Sequence, residues 1–484
     1  MSIMGLWGGF VVGIVATLFV GDMGFSHRVV STAVPAAQID LSLFGTFLAF
    51  LVPAGLTMIA MAASDEREAA TVVVMGLMGM ALGVVVYALI GFGLQFGGLG
   101  LISNLEGSAE LVSEWSPVDR VWGTGWGIIG LDGFLLFRRR LEAEVLSLFL
   151  YQAALAATAV TIVLLALARR LRFLPLLGLG LFCAVVVYPI YGNWVWGGGW
   201  LSQLGANLGL GHGFIDSAGS GTIHALGGLV ALAAISVFGT RLARVEEPSE
   251  PPPVHFPLLA LLGSFLLLVG WFGLVVGNPL LTANVSYARI AVNVLVAACG
   301  GILVSGLYIW FASGRVDPLM VARGMVASLV AISASCAFVP PWAALVIGAL
   351  AGVLLPLTVY LAEAKLRLDD PTASVATYVI PGLWGLLALG IFADGSSGRG
   401  WNGIGARDYL SIAGQGVSGL FVRSGFQPDW PEQFYAQMVG AVALLILSFG
   451  VSWLVLRGVN SLATMLAGSG SQRREITDDS PEAQ

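Results

Sequence analysis

Long apolar runs recur along almost the whole chain, separated by shorter polar stretches. Most of the runs come close to the length of about 20 residues that a helix needs to cross the hydrocarbon core of a bilayer. The pattern therefore predicts an all-α polytopic membrane protein with eleven transmembrane helices, at 42–63, 70–95, 144–167, 173–192, 219–240, 256–276, 286–311, 319–337, 342–363, 374–393 and 433–456.

Composition supports a membrane protein and excludes several other classes. The 484 residues are 57% hydrophobic and only 10% charged, whereas a soluble domain carries about 25% charged residues. The net charge of −6 argues against a nucleic-acid partner. Cys183, Cys299 and Cys336 all lie inside apolar runs without metal-ligand or disulfide spacing. We therefore expect no metal and no cofactor, and a lipid bilayer as the surroundings.

The chain ends lie outside the predicted transmembrane domain, which covers residues 38–460. An apolar run at 5–21 makes residues 1–37 either a signal peptide or an extra N-terminal helix. Small residues at 33–37 favour cleavage before Gln38, and the lack of a basic start favours a retained helix. The polar, acidic segment 461–484 is predicted to be a disordered cytoplasmic tail.

The distribution of basic residues predicts the orientation in the membrane. Alternate loops hold 13 of the 22 basic residues, counting Arg315 and Arg323 as loop residues, and the other loops hold 9, three of them at 138–140. Because cytoplasmic loops are enriched in Lys and Arg, the C-terminus is predicted to be cytoplasmic and the membrane to be the cell membrane. The Pro-rich segment 246–253 separates two groups of five helices, as in transporters built from inverted repeats.

One region carries candidate chemistry. Trp194, Trp196 and Trp200 precede a long apolar helix that begins just after Asp216 and contains His224. His224 is expected about 12 Å beyond Asp216 along that helix. An imidazole at membrane depth is rare and costly, so the first hypothesis is a substrate pathway, and the alternative is a buried histidine bonded to a neighbouring helix.

Four sequence blocks then resemble the ammonium transporter family (Amt/Mep/Rh). They are Tyr188-Pro189-Ile190 with Val195 to Gly199, Asp216-x-Ala-Gly with His224, Gly270-Trp-Phe-Gly273, and Gly324 to Gly352 followed by Leu368-Asp-Asp370 and Gly390-Ile-Phe392. The resemblance covers about 42–460. It implies an ammonium-transporter-like fold of eleven helices in a five-plus-five inverted repeat, and a homotrimer with one pore per subunit.

The resemblance also implies roles for individual residues. Trp196 matches the residue that recruits ammonium by a cation–π contact, and Asp216 matches a motif residue that we expect to cap its helix and order the vestibule. His224 matches the first of two histidines that line the lumen. The remaining matched positions depart from the family: Tyr378 replaces the second histidine, Leu155 and Leu274 replace the two gate phenylalanines, and Asn278 replaces a small hydroxyl residue.

These departures lead to three expectations. His224 and Tyr378 should lie within roughly 10–12 Å of each other, about one helix diameter. The leucines should leave the outer lumen open or differently gated. A tyrosine in place of histidine should make electrogenic ammonium transport weak or absent.

Three functions stay open at this stage. The first is an ammonium or ammonia channel or transporter. The second is a non-conducting ammonium sensor or regulator, or a pore for another small neutral molecule. The third, a membrane enzyme, has no catalytic or phosphate-binding motif to support it. The C-terminal tail lacks the family pattern, so docking of a PII-type regulator is doubtful.

Overall fold

The computed structural model describes residues 36–101, 108–119, 125–136, 142–239, 256–281, 284–368, 370 and 372–464, with side chains from Asp40 onward. The N-terminal segment up to residue 35, the linker 246–253 and the tail from residue 465 lie outside the described residues. Their predicted roles therefore stay predictions.

Apolar helices dominate the described chain and confirm the predicted all-α membrane architecture. Ten of them are long enough to cross a bilayer and one, α8, is shorter, with 16 residues. In chain order they are α1 (Asp40–Ala62), α2 (Glu66–Leu101), α3 (Ala143–Leu167), α4 (Phe173–Trp196), α5 (Ser220–Phe238), α6 (Pro257–Val276), α7 (Tyr287–Ser313), α8 (Pro318–Ser333), α9 (Pro341–Lys365), α10 (Val375–Phe392) and α11 (Glu432–Thr464).

Helix α8 ends earlier than its predicted span, which was expected to reach residue 337. The backbone N–H of Ala334 donates instead to the Ser220 hydroxyl of α5, at 2.7 Å. The Asn293 amide of α7 donates to the carbonyls of Cys336 and Val339, both at 2.8 Å. These side chains satisfy backbone groups that would otherwise need the next helical turn, so the helix ends at Ser333.

The first and last helices of each five-helix group meet their counterparts in the other group. α1 packs against α6, and Gly45 lies where an added Cβ would come within 2.8 Å of the Gly277 Cα. α5 packs against α10. Both α5 and α10 begin with a π-helical turn, at Ser220–Ala225 and Val375–Val379. In α10 this turn precedes Pro381, which lacks the N–H that would otherwise pair with a carbonyl of the turn.

The loops after α2, α4, α6, α8 and α10 share one membrane face, called here the Trp196 side. They contact one another: the Trp194 indole N–H donates to Ile128 O, the Asn402 amide donates to His212 O, and the Asp394 N–H donates to Phe338 O, at 2.9, 2.9 and 3.0 Å. Two short antiparallel hairpins that the sequence did not predict lie in these loops. They are β1 (Glu114–Trp115) with β2 (Ile129–Gly130), and β3 (Asp408–Tyr409) with β4 (Ile412–Ala413).

The opposite face, where α8 and α10 begin, is called the Arg323 side. Arg323 itself corrects one sequence assignment: it was counted among the loop charges, but it lies six residues into α8. An arginine within a short membrane helix needs a polar neighbourhood, which the site below provides.

Candidate functional site: a histidine-lined lumen

Asp216 organises the start of α5 on the Trp196 side. Its buried carboxylate accepts hydrogen bonds from the backbone N–H groups of Gly219, Ser220, Gly221 and Thr222, and from the Thr222 hydroxyl, at 2.8–3.0 Å. These are the N–H groups that a helix leaves unpaired at its first turn. With both oxygens engaged, Asp216 supports the geometry of the site through the α5 backbone.

His224 lies in the π-helical turn that Asp216 caps, and its side chain is fully buried. Its Nδ1 is 2.9 Å from the carbonyl oxygen of Gly219. Because a carbonyl only accepts, Nδ1 carries the proton in the neutral ring. Nε2 then presents a lone pair, and it has no hydrogen-bond partner among the described residues.

Two aromatic rings flank His224. The Trp271 ring of α6 stacks on it with ring centroids 4.7 Å apart and an interplanar angle of 19°. The Trp271 indole N–H is fixed by the Ser333 hydroxyl at 2.9 Å. Tyr378 of α10 lies on a nearly parallel plane, at a centroid distance of 6.4 Å. The structure therefore brings His224 and Tyr378 together well within the expected limit.

Trp271 was not among the predicted site residues. The signal for it was present, since it belongs to the Gly270-Trp271-Phe272-Gly273 block that carries part of the family resemblance. Its contact with His224 depends on how α6 crosses α5, which no local pattern encodes.

Tyr378 is positioned as His224 is, in the other half of the molecule. Asp370 precedes Tyr378 by eight residues, as Asp216 precedes His224. The Asp370 carboxylate accepts from the Ser374 hydroxyl and the Val375 N–H, each at 2.9 Å. The two halves thus share one structural motif, in which an aspartate caps a π-helical turn that carries an aromatic side chain.

Trp196 is joined directly to this capped helix. Its indole N–H donates to the Asp216 carbonyl oxygen at 2.8 Å, and only 8% of the residue is exposed. The other two tryptophans form a separate pair, Trp194 and Trp200, with centroids 5.6 Å apart against the loop at Gly127 and Ile128. Of the three, Trp196 is the one bonded to the α5 cap.

Leu155 of α3 and Leu274 of α6 are both fully buried. The Tyr151 hydroxyl, one turn before Leu155, donates to the Leu274 carbonyl at 2.7 Å and ties the two helices together. Neither leucine side chain has exposed surface in this conformation, and an open or differently gated outer lumen stays a prediction. Gating by the two leucine side chains stays a prediction.

Asn278 has its amide engaged in local structure. The amide NH₂ donates to Ser217 O at 3.3 Å, and the side-chain oxygen accepts from the Leu280 N–H at 2.9 Å. The residue is 2% exposed. It lies beside the Asp216 loop but holds the turn after α6 in place.

A small cavity lies beyond Tyr378 on the Arg323 side. Its volume is ≈ 20 Å³, about the size that holds one water molecule. Arg323, Thr377 and Tyr378 supply polar groups, and the rest of the lining, apart from Thr372, is apolar, from α1, α3 and Val326 of α8. Thr377 is 2% exposed, and its hydroxyl has no hydrogen-bond partner in the described ranges.

The loops on the Trp196 side contain buried titratable groups outside the helices. Burial lowers the pKa of His212 to about 4 and raises the pKa of Asp429 to about 6. Burial also raises the pKa of Glu114 to about 8. Within the described part of the chain, no group of three or more His, Cys, Asp or Glu side chains is placed to hold a metal ion.

Paired five-helix groups around a buried histidine are the architecture of a membrane transport protein. Residues 40–480 match the Ammonium Transporter Family, and the chain belongs to that family. It is a multi-pass membrane protein of a family of channels and transporters.

Several relatives and solved structures are similar to this chain. It is 36% identical to ammonium transporter Amt2 of Archaeoglobus fulgidus over 73% of this chain and 70% of that protein. It is 32% identical to a putative ammonium transporter of Synechocystis over 78% of this chain and 81% of that protein. A solved Sensor Amt Protein superposes with a TM-score of 0.70 at 26% identity, covering 88% of this chain and 93% of that one. Candida albicans Mep2 shares the fold, with a TM-score of 0.70 at 22% identity. The superposition covers 89% of this chain and 86% of that chain.

Proposed function

We propose that this protein moves ammonium-derived nitrogen across the membrane through a lumen lined by His224 and Tyr378. One observation carries the proposal: a fully buried imidazole whose Nδ1 is bonded to Gly219 O and whose Nε2 lone pair is unused by the described residues. An unpaired acceptor in a buried site is costly unless a ligand uses it. Ammonia and ammonium both carry N–H donors that fit it.

The entry step rests on Trp196. An indole face attracts a cation by roughly 0.5–2 kcal/mol, depending on how far the cation is desolvated. A bare ammonium ion cannot continue into the buried lumen, because an unpaired charge there is prohibitively expensive. Ammonium therefore transfers its proton to solvent water on the Trp196 side before it enters the lumen. Neutral ammonia then passes the leucines and donates a hydrogen bond to His224 Nε2.

Tyr378 limits what happens to the proton. The unperturbed pKa of imidazole lies near 6.5 and that of a tyrosine hydroxyl near 10, so a hydroxyl is a poor substitute in a relay between two histidines. His224 has no equivalent partner to which it can pass a proton. We infer that the protein passes ammonia with little accompanying charge.

The test uses purified protein in proteoliposomes and two readouts, ammonia permeability by stopped-flow internal pH and ammonium-evoked current on a solid-supported membrane. Unmodified protein should raise ammonia permeability above that of empty vesicles and carry little current. Tyr378→His should raise the current severalfold, and Tyr378→Phe, the matched aromatic control, should leave it low. A robust current in the unmodified protein that His224→Ala abolishes would show that one histidine suffices for charge transfer.

The alternative of a non-conducting sensor or regulator, or of a pore for another small neutral molecule, is an outcome of the same experiment. The curated relatives described above are transporters by name, and one similar structure is a sensor. A protein that leaves ammonia permeability at the level of empty vesicles but binds ammonium saturably, as measured by calorimetry, would favour the sensor.

Orientation and assembly follow as further proposals. The predicted excess of basic loop residues on the side that includes Arg315 supports a cell-membrane protein with a cytoplasmic C-terminus. Family membership supports a homotrimer, and nothing in the tail supports a PII-type regulator. Reporter fusions at the C-terminus test its cytoplasmic location, and native mass spectrometry tests the homotrimer. An external reporter or a monomeric mass would contradict them.

A further inference from the structure

The cavity beyond Tyr378 has a donor that the family resemblance did not supply. We infer that Arg323, together with Thr377 and Tyr378, forms an inner site that accepts neutral ammonia and excludes ammonium, which makes Arg323 a specificity-determining residue. The inference rests on the proposed function. It assigns the last step of the pathway to a guanidinium rather than to a second histidine.

Hydrogen-bond chemistry separates the two forms of the substrate at this site. A guanidinium has five N–H donors and no acceptor. Ammonia has a lone pair that can accept from it, whereas ammonium has none. His224 Nε2 works the other way, because its lone pair accepts an N–H from either species. The Thr377 and Tyr378 hydroxyls can accept from either species, so the guanidinium is the group that selects the neutral form at the inner site.

Size and polarity fit one ammonia molecule. The cavity of ≈ 20 Å³ is lined by Arg323, Thr377 and Tyr378 among mostly apolar side chains. The Thr377 hydroxyl is buried and unpaired among the described groups, so it is free to bond a small guest. Tyr378 joins this cavity to His224, 6.4 Å away between ring centroids.

Arg323 is the one charged residue among the described residues that line the cavity. Asp370, Asp317 and Glu363 are close enough to interact electrostatically with Arg323. None of these three lines the cavity, whereas Arg323 does. Asp370 and Asp317 are also engaged in capping, Asp370 with Ser374 and Val375, and Asp317 with the Leu319 N–H at 2.9 Å. The charge partners of the guanidinium thus lie outside the cavity lining, and the charged group that a guest in the cavity meets there is Arg323.

The decisive test uses the Tyr378→His protein, in which a proton-relaying pair of histidines makes charge movement possible. Adding Arg323→Gln should raise ammonium-evoked current about tenfold, since two unit charges several ångströms apart in a partly screened site repel strongly. Adding Arg323→Lys, which keeps the charge, should leave the current within about twofold of the Tyr378→His level. Ammonia permeability is measured in parallel with the current in each of these proteins.

A matched control comes from the exposed Arg315, which precedes α8 on the same membrane face. Arg315→Gln in the Tyr378→His background should change neither readout. Equal currents from Arg323→Gln and Arg323→Lys in the Tyr378→His background would overturn the role of Arg323 in excluding ammonium. An Arg323→Gln protein that passes ammonia without any gain in current would overturn it as well. If the unmodified protein does not raise ammonia permeability above that of empty vesicles, the proposed function is overturned, and the inference with it.

Discussion

At the residue scale, the buried centre consists of His224 with its ring neighbours Trp271 and Tyr378, and its helix is capped by Asp216. His224 and Asp216 stand out because a histidine and an aspartate interrupt otherwise apolar sequence. Trp271 and Arg323 became visible as site residues only through the structure. An indole in an apolar helix looks like ordinary core, and an arginine near a helix end looks like a loop charge. Which of them faces His224 or Tyr378 is decided by helix crossing, and spacing along the chain does not encode it.

The leucine pair gives a prediction at the same scale. Replacing both Leu155 and Leu274 with Phe adds bulk where neither side chain has exposed surface. We expect ammonia permeability to fall at least about threefold, because the extra ring atoms must fit into a packed site. Stopped-flow measurement in proteoliposomes gives the result.

Two exposed leucines on the same helices provide the control for this variant. Leu146 of α3 is 45% exposed and Leu262 of α6 is 47% exposed. The Leu146→Phe/Leu262→Phe protein should keep the permeability of the unmodified protein. Equal permeability in the two double variants, with melting temperatures that show both are folded, would mean that the buried leucines do not gate.

At the element scale, the apolar runs in the sequence predict where the helices lie. They do not predict the side-chain hydrogen bonds that end a helix such as α8. Ser220 illustrates the limit: its hydroxyl takes the Ala334 N–H and also donates to Val330 O at 2.6 Å. These bonds stop α8 at a point that its own sequence does not mark. The matching π-helical turns of α5 and α10 were likewise not predicted, although the equal aspartate spacing ahead of His224 and Tyr378 was present in the sequence.

The crossing of α5 and α10 depends on Gly382. A Cβ at this position would lie 2.5 Å from the Ser220 carbonyl oxygen and 2.8 Å from the Ala225 Cβ. Gly382→Ala should therefore push the two helices apart and destabilise the protein by about 1–3 kcal/mol. Thermal unfolding in detergent should show a lower midpoint. Ammonia permeability should fall as well, because His224 and Tyr378 sit on these two helices.

Gly178 of α4 is the matched control, since nothing lies within 4 Å of the Cβ that alanine would add there. Gly178→Ala should be neutral or stabilising by up to about 1 kcal/mol, as alanine favours the helix over glycine. A Gly382→Ala protein that melts like the Gly178→Ala protein would show that the crossing tolerates a methyl group.

At the scale of the whole molecule, the loops on the Trp196 side join distant parts of the chain. The loop before α5 and the loop before α11 meet at His212, whose ring contacts the Tyr409 ring at a tilted angle of 59°, with the centroids 4.4 Å apart. The Gln433 side chain of α11 also accepts the His212 backbone N–H at 2.9 Å. Composition and charge predicted that these loops share a face, but the order within them comes from contacts between residues some 200 positions apart.

This loop contact gives a pH-dependent prediction. His212 is fully buried, and neither ring nitrogen has a partner among the described residues. Burial lowers its folded-state pKa from 6.5 to about 4, so between these values the unfolded chain binds more protons than the folded one. The stability that neutral His212 contributes is complete above about pH 6.5 and declines as the pH falls towards 4. His212→Phe keeps an aromatic ring on Tyr409 and removes this titration.

Asp429 supplies the opposite sign in the same cluster. It accepts from the Tyr409 hydroxyl at 2.8 Å, and burial raises its pKa from 3.8 to about 6. Its folded form binds more protons in that window, so its contribution to stability falls as the pH rises from 4 to 6.

In melting curves recorded from pH 7 to 4.5, the midpoint of His212→Phe relative to the unmodified protein should rise with acidification. That of Asp429→Asn should fall. Two difference curves that stay flat with pH would show that neither burial is coupled to folding. A His212→Phe difference that falls with acidification would show that the His212 ring is protonated in the folded loops.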